Sequence, residues 1–595
     1  MRRTFSVAGL VSLVFAAPGA AQAGPQGPPD AVALGALDSV VASYVAQGLA
    51  LGGELLVLHH GKVLLHRAHG LADREAGRPW TVGTIANIRS MTKTLTGAAV
   101  ELLIDRGKLS LDDRVSKYLP SFDNDRSRAI TVRQILTHRA GLPLTNIERL
   151  DQYPNLMAQV DAVGEKGPAH APDSKFWYSD AGTDVAAALV QTAGGKPFAE
   201  FVRTELIEPL GMTDTFFGID ASDSRWPRIA SAYYGSGGSW TRFWNPADGK
   251  PLYPFAWGSQ TLYSTPRDYA RFLQLWLDEG RVGGRQLLSK EAVLRQTTPA
   301  SPMSMLGSDA RVPTGFRGLE VWYGQMSVLH VETAHPTRVR ILGHSGSDGT
   351  NAWAWPDRDL IVLYFTQSRG GTTPLRFEEA LERFVVNPGT AAEPAPVAYQ
   401  GLVGRYVANF GPFTNEVFEV LWRNGKLVLD VPSRLAFDLV WLEDAKRWGA
   451  EIAREGLQVA FEPSEGAPAA KLVFYQADKA YDVPRVGTPL ADSLRIDRAV
   501  APSELADAAG RYEVTGSQNE IEIIVHEGGL AIRGPDGSVN RLRPSRQAGL
   551  WHVRDAPNVG IVFNRDASGQ VVSMTRRTRT DVTWPRRRAD DPAPR

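Results

Sequence analysis

Apolar residues along this chain follow one spacing for roughly the first two thirds and another for the rest. From about Ala31 to Asn387, helix-like and strand-like runs alternate. Gly53-Glu54-Leu55-Leu56-Val57-Leu58 is followed by the turn signal Gly61-Lys62 and by Val63-Leu64-Leu65, which predicts a hairpin. Thr92 to Asp105 puts Leu95, Ala99, Leu102 and Leu103 on one helical face, with Gly107 as the stop. Thr265-Pro266-Arg267-Asp268 combines a hydroxyl cap, a first-turn proline and an early acid. It opens a helix running through Phe272, Leu273 and Leu275 to Gly280. Leu360 to Thr366 is continuously apolar, as a strand covered on both faces must be, and Arg376 to Val386 returns as an amphipathic helix. Elements of both kinds in this order predict an α/β (α+β) domain over residues 31–387.

Residues 388–400 are rich in Pro and Ala and predict a linker. Beyond it, short alternating runs and turn signals predict an all-β region that repeats itself. Gly404-Arg405-Tyr406 returns as Gly510-Arg511-Tyr512, Asn415-Glu416 as Asn519-Glu520, and the turn Asn424-Gly425 as Gly528-Gly529. The last two matches share an offset of 104 residues, which points to a duplicated segment. Each copy is long enough for a small antiparallel β-barrel, one over 401–490 and one over 506–590.

With 595 residues the chain has room for several domains. Its 65 basic and 65 acidic residues cancel, so there is no basic field to hold nucleic acid. Residues 1–23 predict a cleavable export signal: Arg2 and Arg3, a short apolar run from Phe5 to Ala17, and a small-residue site ending Ala21-Gln22-Ala23. That run is too short for a stable membrane span. Cysteine is absent, which excludes disulfides, thiol catalysis and cysteine-ligated metal. An exported chain without disulfides fits a bacterial periplasm or secretion.

Three short motifs carry chemistry. In Ser90-Met91-Thr92-Lys93, residues three apart lie on one helical face, so a serine at the helix start can meet an amine one turn on. A hydroxyl needs an activating neighbour to act as a nucleophile, and lysine serves as its base only where burial or nearby cations lower its pKa. Tyr178-Ser179-Asp180 precedes a small-residue helix from Ala181 to Val190, and a tyrosine near Ser90 can pass a proton to a leaving group. Gly343-His344-Ser345-Gly346-Ser347 precedes the apolar strand at Leu360. Gly346 would let a substrate lie along a strand edge, and backbone N–H groups there can hold an oxyanion. Taken singly, the first two motifs fit a solvated lysine after a cap and a core aromatic before a helix better than they fit catalysis, and the third fits an inter-strand turn.

In this order and spacing, the motifs resemble the class C β-lactamase and penicillin-binding-protein-like serine hydrolases. Gly107-Lys108-Leu109-Ser110-Leu111-Asp112-Asp113, Ile135 to Pro143 (ILTHRAGLP) and Gly258 to Tyr269 (GSQTLYSTPRDY) resemble that family too. The resemblance implies a β-lactamase-like domain with a central antiparallel sheet flanked by helices. It implies Ser90 as nucleophile, Lys93 as its activator and Tyr178 as proton shuttle. Asp180 falls at the amide-contacting position, and His344, Gly346 and Ser347 fall on the substrate-flanking strand. The Ser90 and Ser347 N–H groups would form the oxyanion hole. Two lipocalin-like barrels behind a His-x-Gly catalytic domain resemble the layout of the family's D-aminopeptidases.

Two departures stand out. The family commonly has asparagine where this chain has Asp180, and a carboxylate there favours the protonated form of Lys93. Classical β-lactamases and carboxypeptidases have lysine where this chain has His344, and a largely neutral imidazole is a weaker site for a substrate carboxylate. The expected activity is hydrolysis of a peptide, amide or ester bond through an acyl-enzyme, D-aminopeptidase or D,D-peptidase-like first. The alternatives are a carboxylesterase, a β-lactamase, and a degenerate protein that binds peptide or cell wall. The partner expected is a small molecule or a short peptide or ester, with homo-oligomerisation compatible with the sequence. No cofactor or metal is implied. His59, His60, His66 and His69 cluster without an evident carboxylate set, His138 reads as part of a structural turn, and Ser347 breaks a Gly-x-Ser-x-Gly elbow.

Overall fold

The computed structural model describes residues 27–587, except 237–238, 307–308, 371–372 and 387–393 and, further on, 411–412, 414, 424, 432–435, 452–455, 464–467, 477–478, 495–499, 514–519, 527, 534–538, 546–548, 554–555 and 578–580. The expected export signal lies outside the described residues. The chain divides into two compact units, Met1–Thr390 and Ala391–Arg595.

The first unit is built on a nine-stranded antiparallel sheet. In chain order its strands are β1 (Gly52–His59), β2 (Lys62–Asp73), β3 (Arg78–Pro79), β4 (Ser301–Pro302), β5 (Leu319–Tyr323), β6 (Val328–Glu332), β7 (His335–Ser345), β8 (Asn351–Trp355) and β9 (Leu360–Thr366). In space they run β4-β5-β6-β7-β8-β9-β1-β2-β3. The expected hairpin is β1–β2, turning through His60 and Gly61 at φ +49° and +68°. A two-residue turn with both φ positive matches strand twist and favours glycine.

β9 lies between β8 and β1 with all its residues buried. Its continuous apolar character follows from a core on each face. Leu360, Val362 and Tyr364 pack with Leu37, Val41 and Tyr44 of helix α1 (Ala31–Ala46) and with Phe377 and Leu381. Ile361, Leu363 and Phe365 pack instead with Leu95 and Leu102 of α2 (Thr92–Asp105) and Phe272 of α3 (Pro266–Leu277). Helix α3 starts where the sequence indicates, with Thr265 Oγ1 accepting from Asp268 N at 3.3 Å.

The second unit holds two eight-stranded antiparallel sheets, each in sequential order, from Gly404–Ala408 to Lys479–Pro484 and from Gly510–Glu513 to Val582–Pro585. Each is nearly closed into a barrel, its first and last strands meeting at Tyr406 with Arg485 and at Tyr512 with Arg586. These contacts explain the glycine and tyrosine of the Gly-Arg-Tyr repeat, while Arg405 and Arg511 between them are exposed. A Cβ at Gly404 would lie 2.0 Å from Arg485 Nη1, and one at Gly510 would lie 2.8 Å from Arg586 Nε. The two tyrosines donate to Leu402 O and Ala508 O, each at 2.7 Å.

The repeat register differs from the 104-residue offset. Tyr406 pairs with Phe418 and Tyr512 with Ile521, while Arg423 pairs with Lys426 across one turn and His526 with Gly529 across the other. The equivalent second strands are therefore 103 residues apart. Gly425 corresponds to Gly528, both at φ +74°. The Asn-Glu match is one residue out of register, and such a slip turns every side chain to the opposite face. The Pro/Ala-rich segment is partly helical, Val397–Gln400 forming one turn.

Candidate active site

Ser90 sits in a single 3₁₀ turn, Arg89–Met91, that runs into α2. Lys93, one turn on, is wholly buried, and its ammonium meets three acceptors: Ser90 Oγ at 3.3 Å, Asp180 Oδ1 at 2.5 Å and Ser259 O at 3.0 Å. An ammonium has three N–H donors, so this set saturates it. Burial alone would lower the Lys93 pKa, but the Asp180 carboxylate and then Tyr178 outweigh it and hold the amine protonated, above its ordinary value.

Tyr178 and Asp180 are presented by the start of α4 (Asp180–Gly194). Ser179 caps that helix, accepting from Gly182 N at 2.8 Å and donating to Pro143 O at 2.6 Å. The Tyr178 ring lies 4.8 Å from Lys93 Nζ, and its hydroxyl interacts electrostatically with Ser90 and Lys93. Burial raises the phenol's pKa, with Lys93 opposing the shift and Asp180 reinforcing it. With Lys93 donating to Ser90 Oγ, the Ser90 O–H is left to donate toward Tyr178. Asp180 does not turn away: it grips Lys93. Behind it Asp184, fully buried, accepts from Ser259 N at 3.0 Å and Gln159 Nε2 at 2.6 Å. Burial, then the neighbouring Asp180, pushes its pKa up to about 7.

The far wall is the end of β7. His344 is buried, and burial followed by the Lys93 charge pushes its pKa down to about 3, so it is neutral at physiological pH. Gly346 is also required for packing. A Cβ there would lie 2.2 Å from Thr350 Oγ1 and 2.6 Å from Ile88 O, because the strand end is pressed against the Ser90 turn. A buried ion pair ties the same two segments, Arg89 Nε donating to Asp348 Oδ2 at 2.8 Å. Arg89 also donates to the Tyr253 hydroxyl and has φ +48°, a conformation rare for a side chain of its size. Arg89 and Asp348 adjoin Ser90 and Ser347, the two residues whose N–H groups were expected to hold an oxyanion.

The structure thus gathers Ser90, Lys93, Tyr178, Asp180, His344 and Gly346 around one centre, with Ser347 beside them in the chain. A cavity of about 720 Å³ elsewhere in this unit, lined by residues that include Glu200, Arg203, Phe216 and Arg225, contains none of them. The histidine cluster of β1–β2 differs from expectation. His60 pairs with Asp359 (2.8 Å), His66 with Glu54 (2.6 Å) and His69 with Asp38 (2.7 Å), each with its own carboxylate. Among the described residues no group of three or more His, Cys, Asp or Glu is arranged to hold a metal ion.

A hydroxyl beside a buried ammonium and a tyrosine is equipped for acyl transfer. The Beta-lactamase family profile matches residues 37–387, more than half of the chain. The chain belongs to the beta-lactamase family. Protein Rv1367c of Mycobacterium tuberculosis is 29% identical over 357 residues, which cover 54% of this chain and 86% of that protein. Esterase EstB of Burkholderia gladioli is 34% identical over 207 residues, 32% of this chain and 53% of that protein. The octameric penicillin-binding protein homologue from Pyrococcus abyssi shares the fold, with a TM-score of 0.51 at 18% identity over 84% of this chain and 97% of that one.

Within this beta-lactamase-family site, sequence reasoning missed Arg89, Asp184, Ser259, Tyr323 and Asp348. Asp184 was within reach, since it lies four residues after Asp180 on one helical face. Ser259 lies inside the Gly258 to Tyr269 stretch that resembles the family. The ion pair from Arg89 to Asp348 joins residues 259 apart and has no local signal.

Proposed function

We propose that this protein is a serine hydrolase that forms an acyl-enzyme on Ser90 and cleaves neutral ester or amide donors, with carboxylesterase activity favoured. The observation that carries this reading is the saturated Lys93 ammonium, 3.3 Å from Ser90 Oγ and 4.8 Å from the centre of the Tyr178 ring. In the reactive form Tyr178 is a phenolate: Ser90 Oγ adds to the acyl carbon as its proton passes to Tyr178 Oη, and the phenol so formed gives that proton to the leaving oxygen or nitrogen as that bond breaks. Lys93 stays cationic and stabilises the charge developing between the two oxygens. Ser90 N–H and Ser347 N–H hold the oxyanion. Water then enters by the reverse path, returning acid product and the free serine.

Neutral His344 supports donors without a carboxylate at that subsite, and the nearby Arg369 is drawn to Asp348 at 3.7 Å. That weighs against β-lactams and D,D-carboxypeptidase substrates. The name of EstB supports the ester. Asp180 favours a second reading, a D-aminopeptidase: its carboxylate is 21% exposed beside the nucleophile and can take up a substrate's free amino group. The N-terminal pattern supports export to the periplasm or beyond.

Hydrolysis of p-nitrophenyl butyrate, D-alanyl p-nitroanilide and nitrocefin, by wild type and by Ser90→Ala, separates these readings. Ester turnover lost in Ser90→Ala, with nitrocefin spared, is the expected result. Preference for the aminoacyl anilide would select the aminopeptidase. A folded protein inert to all three and to fluorophosphonate would leave a binding protein.

A further inference from the structure

The hydrogen bonds behind His344 form one chain whose proton positions are set by its two ends. At one end Ser179 N–H donates to His138 Nδ1 at 3.3 Å, so that nitrogen carries no proton and Nε2 does. His138 Nε2 lies 3.1 Å from Tyr323 Oη. At the other end His344 Nδ1 lies 2.7 Å from Ser345 O. A carbonyl only accepts, so this Nδ1 is protonated and His344 Nε2 holds a lone pair, 3.4 Å from the same Tyr323 Oη. Tyr323 therefore accepts from His138 and donates to His344. Its other acceptor, Met326 Sδ at 4.0 Å, is farther and weaker. His138, Tyr323 and His344 are all at most 3% exposed.

We infer that His138 and Tyr323 are positioning residues that fix His344 as the neutral Nδ1–H tautomer and brace the Tyr178-Ser179-Asp180 segment against the His344–Ser347 strand end. The chain enters one segment at the backbone N–H between Tyr178 and Asp180 and the other at the carbonyl of Ser345. Both ring nitrogens of His344 are occupied, so the ring offers a substrate no N–H. This subsite is built for a neutral part of the acyl donor, which deepens the proposed function and rests on it. The charged and titratable groups facing the chain oppose a second proton. Lys93 and His344 disfavour the His138 cation, Lys93 disfavours the His344 cation, and Tyr178 packs on His138 at 4.6 Å between ring centres. His138 turns inward from φ +53°, directly after the short helix Val132–Leu136.

Long-range ¹H–¹⁵N correlation spectra of full-length protein with ¹⁵N-labelled histidine read the tautomers directly. Assignments come from His138→Gln and His344→Gln. The expected spectrum shows His138 as Nε2–H and His344 as Nδ1–H, both unchanged from pH 5 to 8. Tyr323→Phe should release His344 into tautomer exchange and lower kcat about tenfold, with KM for a neutral ester within twofold. Either ring cationic at pH 7, or the opposite tautomers, overturns the assignment without recourse to a variant. An unaltered His344 signal and kcat in folded Tyr323→Phe overturns the positioning role. Ser90→Ala should keep the wild-type spectrum while losing the acyl-enzyme; a wild type that forms no acyl-enzyme, or a Ser90→Ala that still forms one, with the tautomers intact would refute the catalytic reading alone.

Discussion

Replacing Asp180 with asparagine tests how the buried lysine is tuned. The substitution keeps size and leaves an acceptor near Lys93 but removes the carboxylate charge 2.5 Å from its nitrogen. At an effective dielectric of about 20, two unit charges at that separation attract by roughly 6–7 kcal/mol. Asp180 is 21% exposed and Lys93 buried, so we take about half of that as felt by the amine. Losing ~3 kcal/mol makes the neutral amine about a hundredfold more accessible. The same carboxylate also raises the Tyr178 phenol's pKa, so Tyr178, which takes the Ser90 proton, becomes a stronger acid when it is removed. A pH–rate profile of kcat/KM with p-nitrophenyl butyrate is the assay. The acid limb should move to lower pH and rates below it should rise, the ~3 kcal/mol lost by Lys93 setting an upper bound of about two orders of magnitude. The melting temperature should fall, because a buried ammonium loses its counter-charge. An unmoved limb, or a collapse of kcat/KM in a folded variant, would refute this reasoning and make the carboxylate a working proton carrier.

Two further outcomes follow from neighbouring groups. Arg89→Gly keeps the left-handed backbone but takes from buried Asp348 its hydrogen-bonded cation, leaving Arg369 at 3.7 Å. Chemical denaturation should show a loss of about 3–5 kcal/mol, and kcat should fall at least tenfold with little change in KM; an unchanged kcat would free the oxyanion hole from this ion pair. Asp184 has its folded pKa raised to about 7. Its contribution is fully present below its unfolded value near 4 and is lost as pH rises through 7. Wild type should therefore lose more stability than Asp184→Asn between pH 5 and 8, read as melting temperature against pH, and parallel curves would contradict the shift.

The elements set by local chemistry were legible in the sequence. The β1–β2 hairpin, the Thr265 cap and the central strand at Leu360 each follow from the side chains in one short window. Ser90, Lys93 and Tyr178 were legible as candidates because their spacing is a helical turn and a family pattern. Contacts made across long stretches of chain were not legible. Tyr323 reaches His138 over 185 residues and Arg89 reaches Asp348 over 259, and nothing local marks either. Gly346 was recognised as a glycine position, but the packing that requires it, with its missing side chain making room for Thr350 and Ile88, had no local signal. The barrel repeat was visible through Gly-Arg-Tyr, whose glycine and tyrosine the packing demands. The Asn-Glu match was a matter of composition and sat one residue off the true pairing.

Intact-mass and peptide mass spectrometry after brief exposure to a fluorophosphonate or slowly deacylating ester tests the central claim most directly. A single adduct on the peptide carrying Ser90, absent from Ser90→Ala, is the predicted result. An adduct on another residue, or one that persists in Ser90→Ala, would contradict it.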